Sequence, residues 1–152
     1  MKLLTVKRTK NSLQLIDENK FLIGERLSGF FAGANERLKI NDTIYKIRHS
    51  GFLYRNTEFF DSNGKLVVMI DFEKDRLFYY GQPYTEIYIL KSNGWSNGSQ
   101  SLYNFYNDEF VMRFDCRRSF FKSRYEIQIK EDFTNSIIIL AFLQSNIKDL
   151  ED

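Results

Sequence analysis

The clearest pattern of apolar and polar positions lies near the C-terminal end of the chain. Residues 123–130, SRYEIQIK, alternate apolar and polar side chains, which predicts a β-strand with one buried face. After a short turn, residues 137–143 are seven consecutive apolar residues, a run too short to cross a bilayer. Because a helix that is apolar on all sides must be buried on all sides, this run predicts a helix in the middle of the fold.

Upstream, the chain consists of short apolar runs separated by turn residues. An Asn-Gly pair at positions 63–64, for example, separates the strand-like residues 52–60 from residues 65–72. Roughly ten or more strands at a spacing of about 8–12 residues indicate a barrel or a sandwich. Two stretches are less regular: residues 25–37, with Gly29 and Gly33, fit a loop or a short helix, and a polar stretch surrounds Trp95.

Two interpretations of the terminal apolar run remain open from its residues alone. Three consecutive isoleucines at 137–139 favour a strand, since β-branched side chains are restricted in a helix. Three residues of N-cap type at 134–136, and apolar positions at Ile147 and Leu150, favour a helix. We predict a closed antiparallel β-barrel of about twelve strands that encloses a hydrophobic C-terminal helix, as a single domain over residues 1–152.

This order of elements resembles the tubby C-terminal-like superfamily, which includes tubby-like proteins, LURP-one-related proteins and phospholipid scramblases. The matching stretches are the strand at 125–129, the turn at 131–135, the apolar run 137–143 followed by Ile147, and the hairpin at 59–68. The resemblance implies a closed barrel threaded by a C-terminal helix, and binding of phosphoinositide head groups by basic surface residues. The chain lacks the calcium loop and the clustered cysteines expected of a scramblase.

Composition narrows the class of protein further. The chain has 152 residues and 43% hydrophobic residues, which suits one folded domain with a single core, and its fifteen Phe and nine Tyr favour strands. The single cysteine, Cys116, excludes an intrachain disulfide and predicts a reducing, cytoplasmic location. A net charge of +2 gives no reason to expect a nucleic-acid partner, and the apolar runs are too short to predict a transmembrane segment.

The candidate ligand-binding residues precede the alternating terminal strand. They share a positive charge and lie within a few positions of one another: Arg117, Arg118, Lys122 and Arg124. If residues 117–124 form a hairpin tip, these cations and the Phe pair at 120–121 would meet an anionic membrane surface or a phosphorylated ligand. The alternative is that the cations are solvated, or paired with acidic residues on neighbouring strands.

The side chains that carry most enzyme chemistry are scarce in this sequence. His49 and Cys116 are the only residues of their types, and no spacing assembles a nucleophile–base pair or a zinc site around them. We therefore expect no enzyme activity and no cofactor. We expect a binding or scaffolding domain whose partner is an anionic phospholipid head group or a protein. The alternative is a hollow, lipocalin-like barrel with a small apolar ligand in its lumen, which a terminal strand would permit and a terminal helix would exclude.

Overall fold

The computed structural model describes residues 1–28, 36–93, 98–118 and 120–151, with side chains described as far as residue 147. Gly29, Gly33 and Trp95 therefore lie outside the described residues, as does the side chain of Leu150.

Twelve antiparallel strands of the described chain form the wall of a closed barrel. They are β1 Lys2–Arg8, β2 Ser12–Ile16, β3 Leu22–Leu27, β4 Arg37–Ile40, β5 Thr43–Ser50, β6 Asn56–Phe60, β7 Leu66–Asp71, β8 Arg76–Tyr80, β9 Thr85–Ser92, β10 Ser99–Asn104, β11 Phe110–Arg118 and β12 Ser123–Ile129. Each strand pairs with its neighbours in sequence, and β1 pairs with β12, so that none of the twelve described strands is a free edge. The predicted closed barrel is confirmed.

The remaining long element, helix α1 Ser136–Glu151, fills the lumen of the barrel. Asn135 caps it, since the Asn135 Oδ1 accepts a hydrogen bond from the Ile138 N–H (3.4 Å). All side chains from residue 137 to residue 147 are buried. Burial on every side therefore outweighs the strand preference of the isoleucine run. The hollow, lipocalin-like alternative is wrong, because the helix occupies the space that an apolar ligand would need.

Gly24 on β3 allows the helix to approach the wall closely. A Cβ atom at this position would lie 3.1 Å from Leu140 Cδ2 on the helix and 3.1 Å from Ile40 Cγ1 on β4. Such distances are tighter than ordinary van der Waals contacts, so a side chain here would push the helix and the wall apart. The absence of a side chain therefore sets the spacing between α1 and β3.

A buried polar link fixes the second half of the helix. Glu36, just before β4, accepts a hydrogen bond from Arg26 Nη2 (2.6 Å) and another from Gln144 Nε2 (2.7 Å). Arg26 and Gln144 are almost fully buried, at 6% and 1% exposure. A buried charge is tolerated when it is paired and hydrogen-bonded. This link shows that α1 runs towards the end of the barrel at which β3 and β4 are joined.

One predicted strand begins later than its sequence pattern suggests. The apolar run over residues 52–60 predicts a single strand, but β6 starts at Asn56, and residues 52–54 form a short turn instead. Gly51 has a φ of 82°, a left-handed conformation that turns the chain away from β5. The Phe-Leu-Tyr sequence is itself strand-like, so the break depends on the preceding glycine.

Candidate anion-binding groove

The four predicted cations lie at the projecting end of the β11–β12 hairpin. The two strands remain paired up to the tip, with Arg117 opposite Arg124 and Arg118 opposite Ser123. Side chains on each strand alternate between the two faces, as the buried Phe114 and Tyr125 on the inner face show. Arg117 and Arg124 consequently share the outer face, whereas Arg118 follows Phe114 on the inner face at the rim of the barrel.

A groove opens beside this hairpin because two neighbouring strands separate. The pairing between β1 and β12 ends with Thr5 opposite Glu126, after which β1 continues along β2 and β12 continues along β11. The space between them has a volume of about 840 Å³. The residues that line it are Val6, Arg8, Arg117, Arg118, Phe121, Lys122, Ser123 and Arg124. We call this space the basic groove. All four predicted cations line it.

Arg8 is a fifth cation of the basic groove and was not among the predicted residues. Its guanidinium lies over the ring of Tyr125, with 5.3 Å between the Cζ atom and the ring centroid, and its Nη2 donates a hydrogen bond to the Tyr125 hydroxyl (3.1 Å). Stacking on an aromatic ring restricts the arginine to one orientation at the side of the groove. The alternation of β1 gives no signal for this role, because Arg8 meets Tyr125 only when the barrel closes.

The cations of the groove are only partly neutralised by carboxylates. Arg117 Nε lies 3.5 Å from Glu126 Oε2. Arg118 and Arg124 are exposed and form no ion pair with any side chain in the described part of the protein. Like charges directly opposite one another on a sheet are destabilising, as Arg117 and Arg124 are. Pairing with neighbouring acidic residues thus accounts for Arg117 but not for Arg118 and Arg124.

Two aromatic rings stand at the tip of the same hairpin. Phe120 is 99% exposed and Phe121 is 94% exposed, and their ring centroids are 6.3 Å apart. Adjacent exposed phenylalanines leave a large apolar area in water, and such surfaces mark interaction sites. The basic groove and the apolar tip are contiguous, since Phe121 also lines the groove.

The two ends of the barrel differ in charge. We call the end that carries the β1–β2, β5–β6 and β11–β12 connections the arginine end, and the opposite one the acidic end. The described connections at the acidic end, together with residues 130–135, carry three lysines (Lys20, Lys65 and Lys130) against eight carboxylates: Asp17, Glu18, Asp42, Asp61, Asp108, Glu109, Glu131 and Asp132. A hydrogen bond to Glu109 and the charge of Asp132 raise the pKa of Lys130, as expected in a negative environment.

His49 and Cys116, the other two residues with potential for chemistry, lie on strands of the barrel wall. His49 Nδ1 lies 3.1 Å from Thr57 Oγ1 on the neighbouring strand, and Cys116 is half-buried opposite Tyr125. Within the described ranges, no three His, Cys, Asp or Glu side chains come together in a way that would hold a metal ion. No helix among these residues has the length and apolar content to span a membrane.

Comparison with known structures finds one solved structure that matches this chain. It is an X-ray structure of a protein from Arabidopsis thaliana, with 12% sequence identity and a TM-score of 0.43, over 99% of this chain and 91% of that one. No protein-family profile matches the chain, and no curated protein matches it by sequence.

Proposed function

We propose that this protein is a non-enzymatic binding module that docks on anionic membrane surfaces through the basic groove and the tip of the β11–β12 hairpin. The observation that carries the proposal is the exposure of Phe120 and Phe121 beside five groove cations. Arginine guanidinium groups donate paired hydrogen bonds to phosphate oxygens, and aromatic side chains enter the apolar boundary of a bilayer. A membrane surface presents phosphate oxygens for the arginines and an apolar boundary for the aromatic rings side by side.

The binding free energy available from these cations and aromatic rings is sufficient for reversible binding. Each Lys or Arg near an anionic surface contributes about 1 kcal/mol. A phenylalanine that is fully withdrawn from water contributes roughly 1.5–3 kcal/mol. Five cations and two partly inserted rings together correspond to an affinity on the order of micromolar. We retain the prediction of a cytoplasmic location, since the cytoplasmic leaflet carries the negative surface potential that this groove would recognise.

The test is sedimentation with vesicles of phosphatidylcholine, with and without phosphatidylserine. The parent protein should sediment with the anionic vesicles and remain in solution with the neutral ones. A variant with Arg117→Glu and Lys122→Glu should lose this binding, because its groove charge falls by four units, and should melt near the temperature of the parent. The matched control, Lys20→Glu with Lys65→Glu at the acidic end, makes the same change in net charge and should bind as the parent does.

Two results would contradict the proposal. Equal sedimentation of the parent and the Arg117→Glu, Lys122→Glu variant would remove the basic groove from membrane binding. Failure of the parent to bind either kind of vesicle would favour the other predicted partner, a protein, for which the same cations would face an acidic surface.

A further inference from the structure

A second group of exposed apolar side chains lies in the β5–β6 connection, far from the basic groove in sequence. Phe52 is 86% exposed, Leu53 is 71% exposed and Tyr54 is 73% exposed. Three large hydrophobic residues in succession, all directed into water, form a contiguous apolar projection. We call these three residues the apolar turn.

The backbone of the apolar turn holds its side chains away from the wall. Leu53 and Tyr54 both have left-handed φ angles, 57° and 53°, a conformation that is unusual for bulky residues. The turn is closed by a hydrogen bond from the Tyr54 N–H to the Gly51 carbonyl (3.2 Å), and the Arg55 carbonyl anchors it by accepting a hydrogen bond from the Phe72 N–H (2.9 Å). These two hydrogen bonds support the conformation in which the three side chains are exposed.

The apolar turn and the hairpin tip lie on opposite sides of the same barrel end. In the closed order of strands, four strands separate the β5–β6 hairpin from the β11–β12 hairpin in each direction. With neighbouring strands about 4.8 Å apart, the two projections are roughly 20 Å from each other across the rim. A flat surface that touches both is therefore approximately perpendicular to the axis of the barrel.

We infer that the apolar turn is a second membrane-insertion point, so that the barrel docks on an anionic bilayer with its arginine end facing the lipid. This inference rests on the proposed function and adds an orientation to it. Charge favours a bilayer as the occupant, because Arg55 and Lys10 extend the positive surface of the groove around the rim. The described connections at this end also carry Lys74 and Lys122, against the carboxylates of Glu36, Glu73 and Asp75, and Glu36 is neutralised by its ion pair with Arg26. End-on docking also keeps the acidic end farthest from the lipid phosphates.

The orientation is tested with an environment-sensitive nitrobenzoxadiazole label on single cysteines. The background is Cys116→Ser, accepted once its melting temperature matches the parent. Labels at Leu53→Cys and at Phe121→Cys should both gain fluorescence and shift to the blue on addition of phosphatidylserine-containing vesicles. A label at Asn63→Cys, in the β6–β7 turn of the acidic end, should not respond.

The possible outcomes separate this inference from the proposed function. A response at residue 121 without one at residue 53 would overturn end-on docking and leave the groove as the membrane site. A response at residue 63 equal to that at residue 53 would overturn the orientation. No response at residue 121, together with no sedimentation of the parent, would overturn both the inference and the proposed function.

A pair of unlabelled variants provides an independent measurement. Phe52→Ser with Leu53→Ser should weaken binding to the anionic vesicles at least about tenfold, because apolar area is no longer withdrawn from water. The matched control is Phe21→Ser with Tyr84→Ser, which removes two exposed aromatic side chains at the acidic end. It should bind as the parent does. Unchanged affinity of the Phe52→Ser, Leu53→Ser variant would overturn the inference.

Discussion

Arg117 on β11 and Arg124 on β12 lie directly opposite one another on the outer face of the projecting hairpin. Two like charges in this position oppose strand pairing, and one carboxylate, that of Glu126, lies beside Arg117. Stability would favour an acidic residue at one of the two positions. An external anion bound beside both guanidinium groups would offset their repulsion, which would explain why both positions are arginine.

Arg124→Glu should accordingly stabilise the protein while weakening its binding to anionic vesicles. A cross-strand Arg–Glu pair in place of two arginines is expected to add roughly 0.2–1 kcal/mol to the free energy of unfolding. Urea denaturation measures the first effect and vesicle sedimentation measures the second. Arg124→Gln serves as the control, with a smaller change in both. A loss of stability together with a loss of binding would mean that Arg124 supports the fold rather than a ligand.

Leu53→Asn should likewise separate stability from binding. Asparagine tolerates the left-handed conformation found at this position better than leucine does, so the variant should be more stable by roughly 1 kcal/mol. It also removes an apolar side chain from the apolar turn, which should reduce affinity for anionic vesicles. Thermal melting and sedimentation check the two effects. A melting temperature below that of the parent would show that the Leu53 side chain contributes to folding.

The fold was predictable because its two most distinctive signals are local. The apolar run at 137–143 indicates burial on all sides, and Asn135 is the cap that starts the helix. Residues 123–130 alternate because β12 has one face on the core. Both signals involve residues within a few positions of one another, which is the range over which sequence patterns determine structure.

The candidate site was only partly predictable, because its remaining parts depend on contacts between distant segments. Arg8 and Tyr125 are 117 positions apart and meet only when β1 closes on β12. The groove itself exists because these strands separate beyond Thr5 and Glu126, which no pattern along either strand indicates. The apolar turn was mistaken for part of a strand, since Phe, Leu and Tyr all favour strands and the deciding φ belongs to Gly51.

Ala141→Asp should abolish cooperative folding. Ala141 is fully buried in the middle of α1, and an ionised carboxylate there would have no partner in the surrounding apolar core. We expect insoluble protein, or protein without a cooperative thermal transition. Ser62→Asp, a substitution in an exposed turn at the acidic end, should melt near the parent temperature. A soluble Ala141→Asp variant that melts cooperatively would contradict the burial of the helix in the lumen.

Glu58 should make stability depend on pH on the acidic side. A hydrogen bond from Ser50, followed by the hydrogen bond and charge of Arg48, lowers the pKa of the Glu58 carboxyl below its ordinary value of 4.5. The ionised form is thus favoured in the folded state, so its contribution is complete above that value and is lost as the pH falls below it. Glu58→Gln should lower the melting temperature at neutral pH, and the difference from the parent should shrink in acid. A difference that is independent of pH would contradict this role.

The pairing of β1 with β12, which closes the barrel, also affects when the chain can fold during its synthesis. Lys2 pairs with Ile129, a partner that lies 127 positions further along the chain. At a synthesis rate of about 5–20 residues per second, the ribosome needs roughly 6–25 s to produce β12 after β1. During that interval one edge of β1 offers its backbone hydrogen-bonding groups to any other nascent strand. The barrel therefore forms only after synthesis has passed its twelfth strand, and the newly made chain is most exposed to aggregation until then.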